Sequence, residues 1–395
     1  MQMQRALAPP RVAIYNRPRF RAVFYQFALL AGLVWLGYAF ALNAKANLDA
    51  QSITSGFGFL ENTAGFAVNQ SLIPYNESDT YGRVFLVGLL NTLLVAGIGI
   101  VLATILGFAI GIARLSPNWL LARLAAGYVE LIRNLPLLFQ ILFWYLAVLG
   151  TLPPPRQSIS LFGEIFLNNR GIIVPAPVAG KGAGLVVAVF AASVTATIAL
   201  RLWAGRLQAR TGRQIPLVWS CLALLIVPAL IALIAAGWPI GFVAPELRGF
   251  NFVGGIRLLP EFVALLVALT TYTAAFIAEI VRAGLLAVPR GQGEAASALG
   301  LRRGLTLRLI VLPQALRVII PPLTNQYLNL TKNSSLAVAV GYPDLFAVFA
   351  GTTLHQTGQA IEIIGITMGV YLLISLVTSA IMSFYGWRLG RSLEG

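Results

Sequence analysis

Pro289–Pro322 reads PRGQGEAASALGLRRGLTLRLIVLPQALRVIIPP. It sets glycine, several arginines and one glutamate, Glu294, into an otherwise apolar sequence. A polar stretch of this length between long apolar runs belongs in water, because unpaired polar backbone is costly in lipid. Inside it, Gly291 and Gly293 are expected to end the preceding helix. A short helix then runs from Glu294 to Gly300, with an acidic residue near its positive N-terminal end and glycine at its C-terminus.

Of 395 residues, 58% are hydrophobic and 10% are charged. Soluble domains carry about 25% charged residues. The mean hydropathy is +0.82. The apolar runs are continuous rather than alternating, which argues for membrane-crossing helices over a β-barrel. The expected fold is therefore an all-α membrane protein with about eight transmembrane helices. At about 20 residues per span, these are Phe24–Leu42, Val84–Ile112, Leu131–Gly150, Gly184–Trp203, Pro216–Ala236, Phe262–Leu286, Val318–Val340 and Ile361–Trp387. Gly107-x-x-x-Gly111 in the second run has the spacing that lets helices approach closely. Pro313, Pro321 and Pro322 are expected to break or kink helix.

The net charge of +15 is explained by arginines in short loops on one side rather than by nucleic-acid binding. With the N-terminus inside, the cytoplasmic loops hold Arg5, Arg11, Arg17, Arg19 and Arg21, then Arg114 and Arg123, Arg201 to Arg213, Arg290 to Arg308, and Arg388 and Arg391. This places both termini on the cytoplasmic side of the membrane. The N-terminus shows no small-residue cleavage site after the first apolar run. Cys221 is the lone cysteine and His355 the lone histidine, so neither a disulfide nor a metal cluster is expected. No nucleophile elbow and no phosphate-binding glycine loop occurs. No catalytic residue is expected, and the chain is expected to bind no cofactor of its own.

The spacing Glu294-Ala295-Ala296, three residues, Gly300, nine residues, Ile310, one residue, Leu312-Pro313 resembles the signature loop of ABC importer permeases. Tyr128–Gln140 (YVELIRNLPLLFQ), Thr273–Gly284 (TAAFIAEIVRAG) and Asn325–Leu336 (NQYLNLTKNSSL) resemble the polar amino-acid branch of that family. The enlarged layout is most similar to the Q-type subunit of general L-amino-acid transporters. The resemblance implies a transporter subunit, not an enzyme, importing L-amino acids of broad specificity by alternating access. It implies a coupling helix, formed by Glu294, Ala295, Ala296, Gly300, Ile310, Leu312 and Pro313, that meets a cytoplasmic ATPase dimer. ATP and Mg²⁺ would sit on that partner. A second related permease chain and a periplasmic amino-acid-binding protein complete the implied assembly.

The expected organisation is a cytoplasmic tail (1–23), an extra first helix with its outer loop (24–80), and a first core block (81–150). An insertion with two helices (151–258) follows, then a second core block (259–389) holding the coupling loop (289–312), and a short tail (390–395). Lys332, with Asn329 and Asn325 on the same run, is a candidate for the translocation pathway; the competing reading is an ion pair with Glu279 or Glu130. Glu130/Arg133 and Glu279/Arg282 are each spaced for local pairing, or for a gate. A secondary transporter working without an ATPase is the alternative function, and a purely structural membrane subunit is a third.

Overall fold

The computed structural model describes residues 18–50, 56–211 and 216–391. The inside placement expected of Arg5, Arg11, Arg17 and Arg213 lies outside these residues.

Twelve helices follow one another among the described residues. They are α1 (Pro18–Ala50), α2 (Tyr81–Ala113), α3 (Trp119–Asn134), α4 (Leu137–Leu142), α5 (Ala183–Thr211), α6 (Leu217–Ala235), α7 (Pro260–Leu286), α8 (Arg290–Ala298), α9 (Arg303–Thr306), α10 (Leu312–Asn333), α11 (Leu354–Thr357) and α12 (Ala360–Arg391). Among the described residues, six stretches are long and apolar enough to cross a membrane: Phe20–Phe40, Tyr81–Ala113, Ala183–Gln208, Pro260–Leu286, Arg303–Val340 and Ala360–Arg388. The apolar part of α6 is shorter, Trp219–Ala235.

The expected third span is not one straight helix. α3 and the limb Leu137–Leu149 meet at 107°. The cause is local: Leu135 precedes Pro136, which disfavours helical geometry at that residue. Leu135 adopts φ −99°, ψ 131°. Pro321 and Pro322, by contrast, lie inside α10 without ending it, so of the expected break or kink they make no break. Pro313 sits at the start of α10, just after the π-helical turns Leu307–Val311. Widened turns leave room for a proline ring that would collide with the Leu309 carbonyl of a regular helix.

The core is built on α2 and α7. Val95, Leu265, Ala268 and Leu269 form one buried cluster with Ile141 and Tyr342. Ala103, Ile277, Val281, Ile319 and Leu330 form a second, joining α2 and α7 to α10. Gly107 and Gly111 let the two main helices close. A Cβ at Gly107 would lie 2.6 Å from Ile277 Cβ, and one at Gly111 2.7 Å from the Ala278 carbonyl oxygen.

The insertion is not purely helical, which corrects the all-α expectation there. Its strands are β1 (Ile159–Leu161), β2 (Ile165–Asn168), β3 (Gly171–Val174), β4 (Ala176–Ala179), β5 (Ile240–Val243), β6 (Glu246–Arg248), β7 (Asn251–Val253) and β8 (Ile256–Leu258). One antiparallel sheet runs β1-β2-β3-β8, with β4-β5 and β6-β7 as separate pairs. Strands of three or four residues are too short to show the alternation that marks a strand in sequence. Gly171, at φ +114°, lets β3 pass β8: a Cβ there would sit 2.0 Å from the Leu258 carbonyl oxygen. β8 leads straight into α7, so the sheet is anchored to the core. α5 and α6 pack chiefly on each other, burying Ala204, Cys221 and Ala232.

Candidate functional site: the coupling loop and the exposed face of the seventh apolar run

α8 begins at Arg290, earlier than expected, and takes in Gly291 and Gly293. The break after α7 falls at Ala287–Pro289 instead, because the proline cannot continue the helix. At its far end Gly300 has φ +73°. Gly300 N–H donates to the Ser297 carbonyl at 3.0 Å, and Leu301 N–H to the Ala296 carbonyl at 3.1 Å. This double closure satisfies the last carbonyls and requires a left-handed residue. Ala296 is buried against the chain itself. Glu294, Ala295, Ala298 and Leu299 are exposed, and Leu299 is 80% exposed. The loop thus shows Arg290 and Glu294, then Ala295, Ala298 and Leu299, to the outside. Ile310, Leu312 and Pro313 are half-buried where the π-helical turns enter α10. Gln314 Nε2 lies 3.5 Å from Gln292 Oε1, between α10 and α8.

Glu279 receives Arg282 Nη2 at 2.6 Å, as its i, i+3 spacing suggests. It also binds Arg114 from the end of α2. That third member has no signal in the sequence, since 165 residues separate the partners. Glu130 and Arg133 do not pair. The Arg133 guanidinium lies 5.0 Å from the centre of the Phe276 ring, a favourable cation–π placement.

Lys332 forms no ion pair with Glu279 or Glu130; Glu279 is instead paired with Arg114 and Arg282. It lines a cavity of about 470 Å³ with Ser335, Phe346, Met368 and Tyr371. Asn325, Asn329 and Lys332 are all exposed. Their spacing of four and three residues puts them on one face of α10.

A buried polar node was missed by sequence reasoning. Asn91 Nδ2 donates to the Gln70 and Pro343 carbonyls at 2.8 and 2.9 Å. The Tyr342 hydroxyl donates to the Asn91 carbonyl at 3.2 Å. Asp344 accepts from Ala347 N–H at 2.8 Å and from the Tyr371 hydroxyl at 3.2 Å. Burial pushes the Asp344 carboxyl up to about 6, against the pull of these hydrogen bonds. Asp344 lies between the last two apolar stretches, where no periodicity marks it.

Residues 99–389 match the family described as "Binding-protein-dependent transport system inner membrane component". The chain belongs to this family. The permease is 51% identical to the Escherichia coli (strain K12) permease protein YhdX over 95% of each chain. It is 49% identical to the Rhizobium johnstonii general L-amino acid transport system permease protein AapQ, over 96% of this chain and 94% of that one. It is 44% identical to the Rhodobacter capsulatus glutamate/glutamine/aspartate/asparagine transport system permease protein BztB, over 93% of each. The permease is therefore a multi-pass inner-membrane subunit of an ABC transporter. The alternative of a secondary transporter has no support in this membership.

Proposed function

We propose that the permease is one membrane half of an ATP-driven importer that moves L-amino acids of broad specificity from periplasm to cytoplasm. The observation that carries this reading is the near full-length likeness to permeases named for general L-amino acids and for acidic amino acids and their amides. α8 supports it physically. It is short, exposed and rigidly closed at Gly300, so a partner that grips Glu294, Ala295 and Leu299 moves the start of α10 with it. The partner is a cytoplasmic ATPase dimer that holds ATP and Mg²⁺, and both termini of the permease lie on its side of the membrane. A periplasmic binding protein delivers the substrate, and a second, related permease chain closes the pathway. Asn325, Asn329 and Lys332 face that pathway, because a polar stripe turned away from its own core belongs against water or another chain rather than lipid. Glu279, bridging Arg114 and Arg282, ties α2 to α7 near α8, while Glu130 and Arg133 flank the bend before Pro136.

The test is uptake of labelled L-glutamate, L-alanine and L-lysine by cells expressing the permease with its ATPase, second permease and binding protein. All three should enter, compete with one another, and stop entering when the ATPase is inactivated. Uptake that persists without an active ATPase overturns the ATP-driven reading, and entry of one amino acid alone overturns the breadth.

A further inference from the structure

At the end of α7 remote from α8, about 40 Å away along 27 residues of helix, a cavity of about 690 Å³ opens between the core and the inserted sheet. Arg170, Arg257, Glu261, Tyr145, Asn69 and Asn169 line it. The sheet fixes the two arginines. Arg170 ends the turn between β2 and β3, and Arg257 lies on β8 opposite Ile173. Glu261 is the second residue of α7.

The charges around this space are not spent on one another. Glu261 pairs with neither arginine, and its carboxylate accepts from the Tyr145 hydroxyl at 3.1 Å. Arg170 donates to the Asn251 side-chain oxygen through one nitrogen, which steadies it and leaves other donors of its fork. The Arg257 side chain makes no hydrogen bond or ion pair among the described residues. Two guanidinium groups and one carboxylate thus border a single open cavity. A guanidinium fork matches a carboxylate in shape and charge, and a carboxylate matches an ammonium. The cavity is within the size range of small-molecule sites.

We propose that this cavity recognises the zwitterionic head of a free α-amino acid on the outer side, before it reaches the pathway between the permease chains. Arg257 and Arg170 hold the α-carboxylate, Glu261 holds the α-ammonium, and the side chain projects into the open mouth, so the site reads the head and tolerates many side chains. Its identity as an amino-acid site rests on the proposed function; the pairing of charges does not.

The experiment uses the complete complex of both permeases and the ATPase in lipid nanodiscs, without binding protein or ATP. Equilibrium dialysis measures binding of labelled L-alanine. Binding should be saturable and weaken at least about tenfold in Arg257→Gln and in Glu261→Gln, the scale of one lost charge-assisted hydrogen bond. Arg257→Lys, which keeps the charge, should fall between. N-acetyl-L-alanine, lacking the ammonium, and L-alaninamide, lacking the carboxylate, should compete at least about tenfold less well than L-alanine. Unchanged alanine binding in both variants overturns the proposal. So does absent alanine binding with docking of the binding protein weakened by Arg257→Gln, which would assign the arginines to an acidic side chain of that partner. Failure of the import reading shows separately, as no alanine uptake by wild-type cells while the dialysis result stands.

Discussion

Gly300 has a backbone duty that any coupling role depends on. It holds φ +73° and closes two carbonyls at the end of α8. A side chain there costs about 1–2 kcal/mol in backbone strain, although no neighbour lies within 4 Å of the added Cβ. Gly300→Val should therefore leave the protein inserted, loosen the α8 end, and lower ATP-driven uptake more than it lowers the melting temperature in detergent. Glu294 is exposed, so Glu294→Lys should leave the melting temperature unchanged and uncouple uptake from ATP hydrolysis; full uptake in both variants would remove the coupling role. Glu279 makes the opposite kind of case. Removing it leaves Arg114 and Arg282 facing each other without their shared carboxylate, whereas removing Arg282 leaves one pair intact. Glu279→Ala should destabilise by about 1–3 kcal/mol, and Arg282→Ala by less, read from thermal unfolding of the purified permease. Asp344 gives a pH signature. Its carboxyl is raised to about 6 in the fold, above the ordinary carboxylate value near 4. The folded chain then holds a proton that the unfolded chain releases between about pH 4 and 6, so this group's contribution to stability is full below pH 4 and falls as pH rises to 6. Asp344→Asn should flatten that part of the melting-temperature profile; an unchanged slope would show that Asp344 does not titrate there.

Among elements, the most extensive packing is between α2 and α7, and its cause was legible as Gly107-x-x-x-Gly111. Gly107→Leu drives a side chain into Ile277 and the Ala274 carbonyl. Overpacking of this kind costs about 1–3 kcal/mol. Gly97, on the same helix, has open space around its missing Cβ, so Gly97→Leu should fold with an unchanged melting temperature while Gly107→Leu falls; equal effects would mean the interface is not the limiting contact. Continuous apolar runs announce helices because a span needs about 20 such residues, so α2, α7 and α12 were placed from sequence. What failed was geometry set by single residues or by distant partners. The bend at Pro136 turned one expected span into two limbs. The strands of the insertion are too short to alternate, and the Arg114–Glu279 contact joins residues far apart in sequence. The i, i+3 rule identified Glu279/Arg282 and misled for Glu130/Arg133, because a ring on α7 offers the arginine a competing surface. In the loop after α7 the helix begins at Arg290 rather than at Glu294, because glycine is tolerated in the first turns of a helix although it reads as a breaker in sequence.

At the scale of the molecule, the distribution of polarity on α10 decides which way the chain faces its surroundings. Most exposed side chains on the long helices are apolar, including Leu372, Leu373, Leu376 and Ile381 on α12, as contact with lipid tails requires. α10 instead exposes Asn325, Asn329 and Lys332 along one stripe. Burying a lysine against lipid is costly, and among the described residues no carboxylate pairs with it. Under the proposed function, the second permease, with water between the two chains, completes this face. Cysteine cross-linking tests this in the assembled transporter with Cys221 replaced by serine. Asn329→Cys should cross-link to cysteines placed on the second permease, and a change in nucleotide state should alter the yield. Leu373→Cys should stay unlinked as a lipid-facing control. Lys332→Met should reduce amino-acid uptake at least about tenfold, the size of a lost charge-assisted contact, with the complex still purifying intact. Cross-linking at Leu373 but not at Asn329, or normal uptake by Lys332→Met, would turn α10 away from the pathway and leave its polar stripe a structural feature.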